Sequence, residues 1–303
     1  MLNTPMGALV LVVVFVVGNA FLIFGFYLPR TSAPISDPVL VGAGDIADCA
    51  SSGDEATAKL LDDISGTVYT LGDNAYESGA PSEFSECYEP TWGRHKDRTR
   101  PSLGNHDYRT PEASGYFDYF GEAAGDPKKG YYSYDLGGWH VVVLNSQCWQ
   151  VVRCGPYSPM IDWLEQDLAS SPLPCTLAYW HNPLFSSGYH GNYAGMKSAW
   201  EALYAADAEV VLNGHDHDYE RFAPQSPSGA ADDARGIRQF VVGTGGRELR
   251  PFRTTIEANS EVRNANTFGV LKLRLHPNSY EWKFVPVAGK SFTDSGSQRC
   301  RQG

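Results

Sequence analysis

The sequence predicts an α/β layered fold with a mixed sheet. Three observations carry this: short apolar runs ending in Gly, Asn or His, amphipathic helical spacing between some of them, and two alternating segments near the C-terminus. The runs are Pro38–Gly42 (PVLVG), Thr67–Leu71 (TVYTL), His140–Leu144 (HVVVL), Thr176–Trp180 (TLAYW), Glu209–Leu212 (EVVL) and Gln239–Val242 (QFVV). Rich in Val, Thr and Tyr and bounded by turn residues, they read as buried strands. Between them, Asp54–Ile64 sets Ala58, Leu61 and Ile64 on one helical face. Ser158–Leu168 opens with an N-cap Ser followed by Pro at the first helical position, then aligns Ile161, Leu164 and Leu168. Met196–Ala205 repeats the spacing with Trp200, Leu203 and Tyr204. Phe268–Leu275 and Ser279–Val287 alternate around Pro277-Asn278 like an antiparallel hairpin, which makes the sheet mixed.

Composition excludes some function classes. The chain has 303 residues and a formal charge of −11, and its 42% hydrophobic content is that of a globular protein. An acidic balance argues against nucleic acid as a partner, because phosphate backbones are bound through clustered Lys and Arg. Residues 1–36 stand apart from the fold at 37–303. Gly7–Leu28 is uncharged and apolar, long enough at about 20 residues to span a hydrocarbon core, and favours an N-terminal membrane anchor over a cleaved signal. Pro29–Pro38 reads as a Pro/Ser-rich linker.

Arg30, after the apolar segment, faintly favours a cytoplasmic domain. The cysteines point the other way: Cys49, Cys87, Cys148, Cys154, Cys175 and Cys300 are even in number and none forms a CxxC pair. That usage suits disulfides in an oxidising compartment, so the expected location is extracytoplasmic, secreted or membrane-anchored. Cys148 with Cys154 is the only locally obvious pair, and the remaining connectivity is open.

The chemistry lies in five pieces: Gly44-Asp45; Gly72-Asp73-Asn74-Ala75-Tyr76; Gly104-Asn105-His106-Asp107; His181 after TLAYW; and Gly214-His215-Asp216-His217. Several follow an apolar run, and in open α/β sheets ligands bind beyond the carboxyl ends of strands. Carboxylate, amide oxygen and imidazole suit Fe, Zn or Mn without a thiolate. A single Gly-Asp or lone His carries no such meaning; the set in this order does. His95, His140 and His276 read as surface or packing residues, and Asp216, Asp218 and Arg221 as structural. Arg247 could meet a phosphate or simply flank a turn. Gly243–Gly246 is not followed by the GKS/T of a P-loop.

Together these pieces resemble the signature of the calcineurin-like metallophosphoesterase superfamily, GDx…GDxx…GNH[DE]…H…GHxH, and within it purple acid phosphatases and their bacterial secreted relatives. The resemblance spans about Val39 to Cys300 and includes CTLAYWHNPLFSSG, GHDHDYER and FVPVAGKSFTDSGS. It implies two mixed β-sheets packed face to face with flanking helices, the four-layer metallophosphatase fold, and a binuclear metal centre at the strand ends. One metal would be held by Asp45, Asp73, Tyr76 and His217, the second by Asp73, Asn105, His181 and His215. General members carry a His two residues after the first Asp, where Ala47 stands here; purple members replace it with a tyrosinate, the position of Tyr76. A phenolate favours Fe(III), with Fe(II), Zn or Mn at the other site.

The resemblance further implies hydrolysis of small phosphate monoesters by in-line attack of a hydroxide held on the metals. His106 would protonate the leaving alcohol and Asp107 would hold its tautomer, although purple members more often have Glu there. His190 matches a substrate-contacting His. A phosphodiesterase or nucleotide phosphatase would use the same site. A catalytically silent surface binding protein is the reading of another class, and retention of Asp73, Asn105, His181 and His215 argues against it.

Overall fold

A computed structural model describes residues 10–17, 20–27, 37–151 and 153–301, in two units, Met1–Ser36 and Asp37–Gly303. In the first unit, Val10–Val17 (β1) and Ala20–Tyr27 (β2) pair antiparallel, with Val17 opposite Ala20. Strands over Val10–Val17 and Ala20–Tyr27 thus stand where a helical membrane anchor was expected over Gly7–Leu28; residues 7–9, 18–19 and 28 of that segment lie outside the described residues. Val, Ile and Phe favour extended backbone, and the two residues between the strands, Gly18-Asn19, are of a hairpin-forming type. No helix among the described residues is long and apolar enough to cross a membrane. The linker expected at Pro29–Pro38 lies, up to Ser36, outside the described residues.

The second unit holds the remaining strands: Val39–Ala43 (β3), Thr67–Thr70 (β4), Thr99–Arg100 (β5), Tyr132–Leu136 (β6), Trp139–Val143 (β7), Cys175–Tyr179 (β8), Val210–Asn213 (β9), Tyr219–Phe222 (β10), Arg238–Val242 (β11), Ser260–Asn264 (β12), Gly269–His276 (β13), Ser279–Pro286 (β14) and Ser295–Arg299 (β15). They form a six-stranded sheet, β15-β14-β13-β3-β4-β5, and a seven-stranded sheet, β12-β10-β11-β9-β8-β7-β6. Both are mixed: β3, β4 and β5 run parallel, as do β7, β8, β9 and β11, and antiparallel strands flank each set. The expected hairpin is β13 with β14, in register from Gly269–Pro286 to His276–Ser279.

The central strands are apolar throughout because both their faces are covered. Val141, Val143, Leu177 and Tyr179 enter the core between the sheets with Leu40, Val68, Leu273 and Phe284. The alternate residues Val142, Ala178 and Val211 face the other way, onto helices Pro159–Ser170 and Lys197–Ala205 through Ile161, Leu164, Trp200 and Leu203. Ser158 caps the first of these helices, its side chain accepting from the Ile161 N–H, with Pro159 at the first position. All six cysteines are paired, as Cys49–Cys87, Cys148–Cys154 and Cys175–Cys300.

Candidate functional site

The parallel strands of both sheets deliver their carboxyl ends to one edge. Asp45 follows β3, Asp73 and Tyr76 follow β4, Asn105 and His106 follow β5, His181 follows β8, and His215 and His217 follow β9. Asp45, Asp73 and His215 take left-handed backbone (φ 59°, 50° and 72°), a costly conformation for residues with a Cβ that turns each side chain off its strand end. At Gly104 a Cβ would collide with the backbone nitrogen and Oδ1 of Asp73, so glycine is what lets the Asn105 loop close on that carboxylate.

Seven side chains meet there, in two groups that share Asp73. In the first, the Tyr76 hydroxyl lies 2.9 Å from Asp45 Oδ1, 3.1 Å from Asp73 Oδ2 and 3.3 Å from His217 Nε2. In the second, His181 Nε2 lies 3.3 Å from Asp73 Oδ2, 3.1 Å from Asn105 Oδ1 and 3.1 Å from His215 Nδ1. Oxygens of Asp45 and Asp73 and a ring nitrogen of His181 fall within 4.8 Å of one another. The outward nitrogens are committed elsewhere: His181 Nδ1 donates to the Leu71 carbonyl at 2.7 Å, and His217 Nδ1 to that of Glu248 at 2.8 Å. Such bonds turn the other nitrogen of each ring inward, as ligating histidines require.

Electrostatics follow from burying so many donors together. Burial pushes the Asp45 carboxyl up to about 7. Burial also raises Asp73, but the charges and hydrogen bonds of His181 and His106 more than reverse it and hold this carboxyl below its usual range. For His181 the balance is opposite: burial disfavours the charged ring, yet Asp73 and Asp45 carry it up to about 9. His217 is lowered by burial to about 4, and His215 falls well below its usual value for the same reason, aided by His181. Burial and the two carboxylates keep the Tyr76 phenol protonated in the absence of a cation.

Above this floor opens a pocket of about 210 Å³, lined by Asn105, His106, His190, His215 and His217 and by Arg109, Arg247 and Arg250. His190 is aimed by its backbone N–H, which donates to Asp216 at 2.6 Å. The His106 ring donates from Nδ1 to the Glu77 carbonyl at 2.6 Å. Asp107, expected to hold that ring, does something else. Its carboxylate is fully buried and accepts from the backbone N–H of Gly104 and Asn74 and from the Asn74 amide, so it braces the loop, and the Glu77 carbonyl takes the His106 ring contact instead.

Arg247 lies over the Tyr76 ring and is held by Asp48, Glu77 and Glu248. Arg109 and Arg250 were not legible as pocket residues, since nothing in their spacing to the motifs marks them. His95, His140 and His276 pair with acidic side chains away from the pocket lining.

Two sheets whose parallel strands gather carboxylates, an amide, a phenol and imidazoles at one edge define the metallophosphatase fold. A family model of calcineurin-like phosphoesterases matches residues 36–219. The chain belongs to that family. It is 34% identical over 158 residues to purple acid phosphatase 21 of Arabidopsis thaliana, a match covering 48% of this chain and 34% of that protein. It is 27% identical over 229 residues to purple acid phosphatase 1 of Ipomoea batatas, covering 67% and 47% respectively. The matches thus span a third to a half of these relatives' length. Among solved structures, a purple acid phosphatase from yellow lupin (Lupinus luteus) superposes with a TM-score of 0.71 at 18% identity, over 91% of this chain and 56% of that one. GAP50 of Plasmodium superposes with a TM-score of 0.69 at 13% identity, over 88% and 90%. At such identities the superpositions establish the fold alone.

Proposed function

We propose that this chain is a metal-dependent phosphatase that holds two metal ions at the pocket floor and hydrolyses phosphate monoesters presented at its mouth. One observation carries the reading: seven oxygen and nitrogen donors meet in two groups sharing Asp73. The donor set fits a pair of cations. Its members are carboxylate, amide oxygen, phenol and imidazole, and the inward nitrogens of His181 and His217 face carboxylate and phenol oxygens. Two carboxylates buried side by side cost much free energy without a compensating charge. Against burial, the charges of Asp73 and Asp45 also carry the pKa of His181 up to about 9.

Asp45, Asp73, Tyr76 and His217 would hold one ion, and Asp73, Asn105, His181 and His215 the other. A Tyr76 phenolate favours Fe(III) at the first, with Fe(II), Zn or Mn at the second. Two ions so placed neutralise charge on the phosphate and furnish a nucleophile at neutral pH. The protein's own part is positional and protonic. His190 would contact the phosphate oxygens, and Asp107 braces the Asn105–His106 loop from behind through the Gly104 and Asn74 backbone N–H groups. His106 is oriented by its Nδ1 contact with the Glu77 carbonyl, which leaves Nε2 toward the pocket to pass a proton to a basic departing alcohol oxygen.

Similarity to purple acid phosphatases supports the substrate class. The fold by itself does not choose, since GAP50, described as an anchor in an inner membrane complex, shares it. The disulfides support a catalytic domain, 37–303, that works outside the cytoplasm. Elemental analysis, a visible spectrum and aryl phosphate turnover on one sample of the full chain test the proposal. About two metal ions per chain and release of inorganic phosphate are expected. Full metal loading with no turnover of any phosphate ester would overturn it, and a colourless active protein would remove iron–tyrosinate alone.

A further inference from the structure

Strands β7, β8, β9 and β11 of the seven-stranded sheet run parallel toward the pocket edge. β8 and β9 lead there into His181, His215 and His217, whereas β7 leads into Asn145, Ser146 and Gln147, which belong to neither donor group. These three are nonetheless at most 5% exposed, and buried polar side chains need partners. Their bonds run two ways. Toward the His181 loop, the Ser146 hydroxyl donates to Asn182 Oδ1 at 2.9 Å and accepts from the Asn182 N–H at 3.0 Å. Gln147 Nε2 donates to the same Oδ1 at 2.5 Å. Asn182 directly follows His181, and its carbonyl accepts from the Trp180 indole at 2.8 Å, so the residues on either side of this imidazole are both tied. Toward the His106 loop, Asn145 Nδ2 donates to the Tyr108 hydroxyl at 2.8 Å, while its Oδ1 holds the turn by accepting from the Gln147 N–H at 2.9 Å. Tyr108 lies three residues after Asn105, on the loop that Asp107 also braces.

One segment thus spans the two loops that carry Asn105 and His181, whose Oδ1 and Nε2 stand 3.1 Å apart. With His215, these are the donors that only the second group uses. Asp45, Tyr76 and His217 of the first group are held instead by one another, the His215 N–H and the Glu248 carbonyl. We propose that Asn145, Ser146 and Gln147 are positioning residues of the second cation site: they hold Asn105 and His181 at a ligating separation while touching neither ion nor substrate. The inference rests on the two-ion reading above and adds to it a support that tunes one ion independently of the other. Asn182 Oδ1 takes two donors at once, so loss of the Ser146 hydroxyl leaves buried groups short of a partner and shifts the residue next to the imidazole. The Cys148–Cys154 disulfide follows the segment directly and closes its onward loop.

The test titrates zinc into the metal-free full chain by calorimetry and needs no turnover. The native chain should take about two ions. Ser146→Ala should weaken one zinc step about 10- to 100-fold, the loss typical of residues that orient a ligand, and leave the other as it was. Two backgrounds assign the step. In His217→Ala, which lacks a donor of the first site, adding Ser146→Ala should weaken the second site by that same factor. In His215→Ala, which lacks a donor of the second, it should leave the first site unchanged. Asn145→Leu and Tyr108→Phe cut the other link from its two ends, so each should weaken the second site, and the pair together no more than either alone. Tyr108 is only part-buried, so its Phe variant should fold even where the Ser146 one does not. Val142→Ala, whose side chain faces the helices, should lower Tm while both zinc steps persist. Equal weakening of both sites by Ser146→Ala would reduce the segment to a general support of the fold and overturn the inference, as would unchanged zinc binding in all three variants of the segment and its partner. A native chain that takes no zinc would instead remove the two-ion reading, and this inference with it.

Discussion

Floor and mouth of this one pocket are held by different means. At the floor, Asp45, Asp73 and His181 issue from strand ends and are at most 2% exposed; His181 lies 3.3 Å from Asp73, and the Tyr76 hydroxyl joins Asp73 to Asp45. Their geometry is set by the packing of two sheets, which is rigid, and by left-handed turns that glycines make room for. At the mouth, Arg109, Glu77, Arg250 and Glu248 are long, exposed side chains on loops, paired in ways solvent screens. The difference teaches where to look for which property. Chemistry common to a family is built where backbone positions are over-determined, and discrimination between substrates is built where side chains exchange partners freely.

The sharpest break of this comparison is at the floor. Asp73 belongs to both donor groups, so Asp73→Asn should remove metal and turnover together, for every substrate alike. Loss of a residue that merely orients a ligand costs about 10- to 100-fold in metal affinity, and loss of the shared carboxylate should exceed that. Elemental analysis beside turnover checks it; activity near that of the native chain would mean Asp73 is not shared.

His106 stands at the boundary, bonded to Glu77 behind and Arg109 in front. Replacing it by Ala should leave metal content intact and lower kcat about 100-fold for an alkyl phosphate, whose alkoxide needs a proton. For ADP the loss should be about 10-fold or less, since a phosphate leaves unaided. A leaving-group series measures this, and a flat series would remove proton donation from His106.

The same division explains what could be read in advance. Central strands such as β7 and β8 were legible because burial on both faces makes them uninterrupted apolar runs. Most floor donors were legible because they follow such runs, and Asn105 because it sits in the Gly-Asn-His-Asp piece. The outermost strands β12 (SEVRN) and β15 (SGSQR) were not, because an edge exposed on one side carries polar residues that blunt pairing with other chains. β10 was hidden because Glu220 and Arg221 look like loop residues. In the fold Glu220 accepts from the Ser187 N–H and Arg221 is bound by Asp294. Arg250 reaches the pocket from 60 residues beyond His190, and no local pattern encodes such a meeting. Asp107 was legible as a site residue but not in its contacts, which run to the Gly104 and Asn74 backbone rather than to the neighbouring imidazole.

The disulfides sharpen the comparison from outside the pocket. Cys175 opens the strand that ends just before His181, and its partner Cys300 is 125 residues away. Closing a loop of that length stabilises by about 4–5 kcal/mol in the chain-entropy account. The paired variant Cys175→Ser, Cys300→Ser should therefore lower Tm by roughly 10 °C. Metal content and kcat measured well below that Tm should persist, because the sheets and not this link position the floor. A variant that loses metal while still folded would show the link to be part of the site's support.

The smallest effect tests whether pH acts on the sheet independently of the pocket. His140 donates from Nε2 to Asp167 at 2.8 Å and from Nδ1 to Asp135 at 3.0 Å, and bonds from both nitrogens require the imidazolium. The Asp167 bond, against burial and with help from Asp135, raises its pKa above the usual 6.5. A pKa raised in the folded state adds stability that is fully present below the unfolded value, near 6.5, and is lost as pH rises through the folded value. Asp167→Asn removes the larger of the two contacts, so the variant should melt about 1–3 °C below the native chain at pH 6. The gap should close as the pH is taken above the raised pKa. Comparing two equally metallated proteins cancels whatever pH does to the floor. A gap that stayed constant across this range would assign the Asp167 effect to packing or to its Ser133 hydroxyl contact rather than to charge on His140.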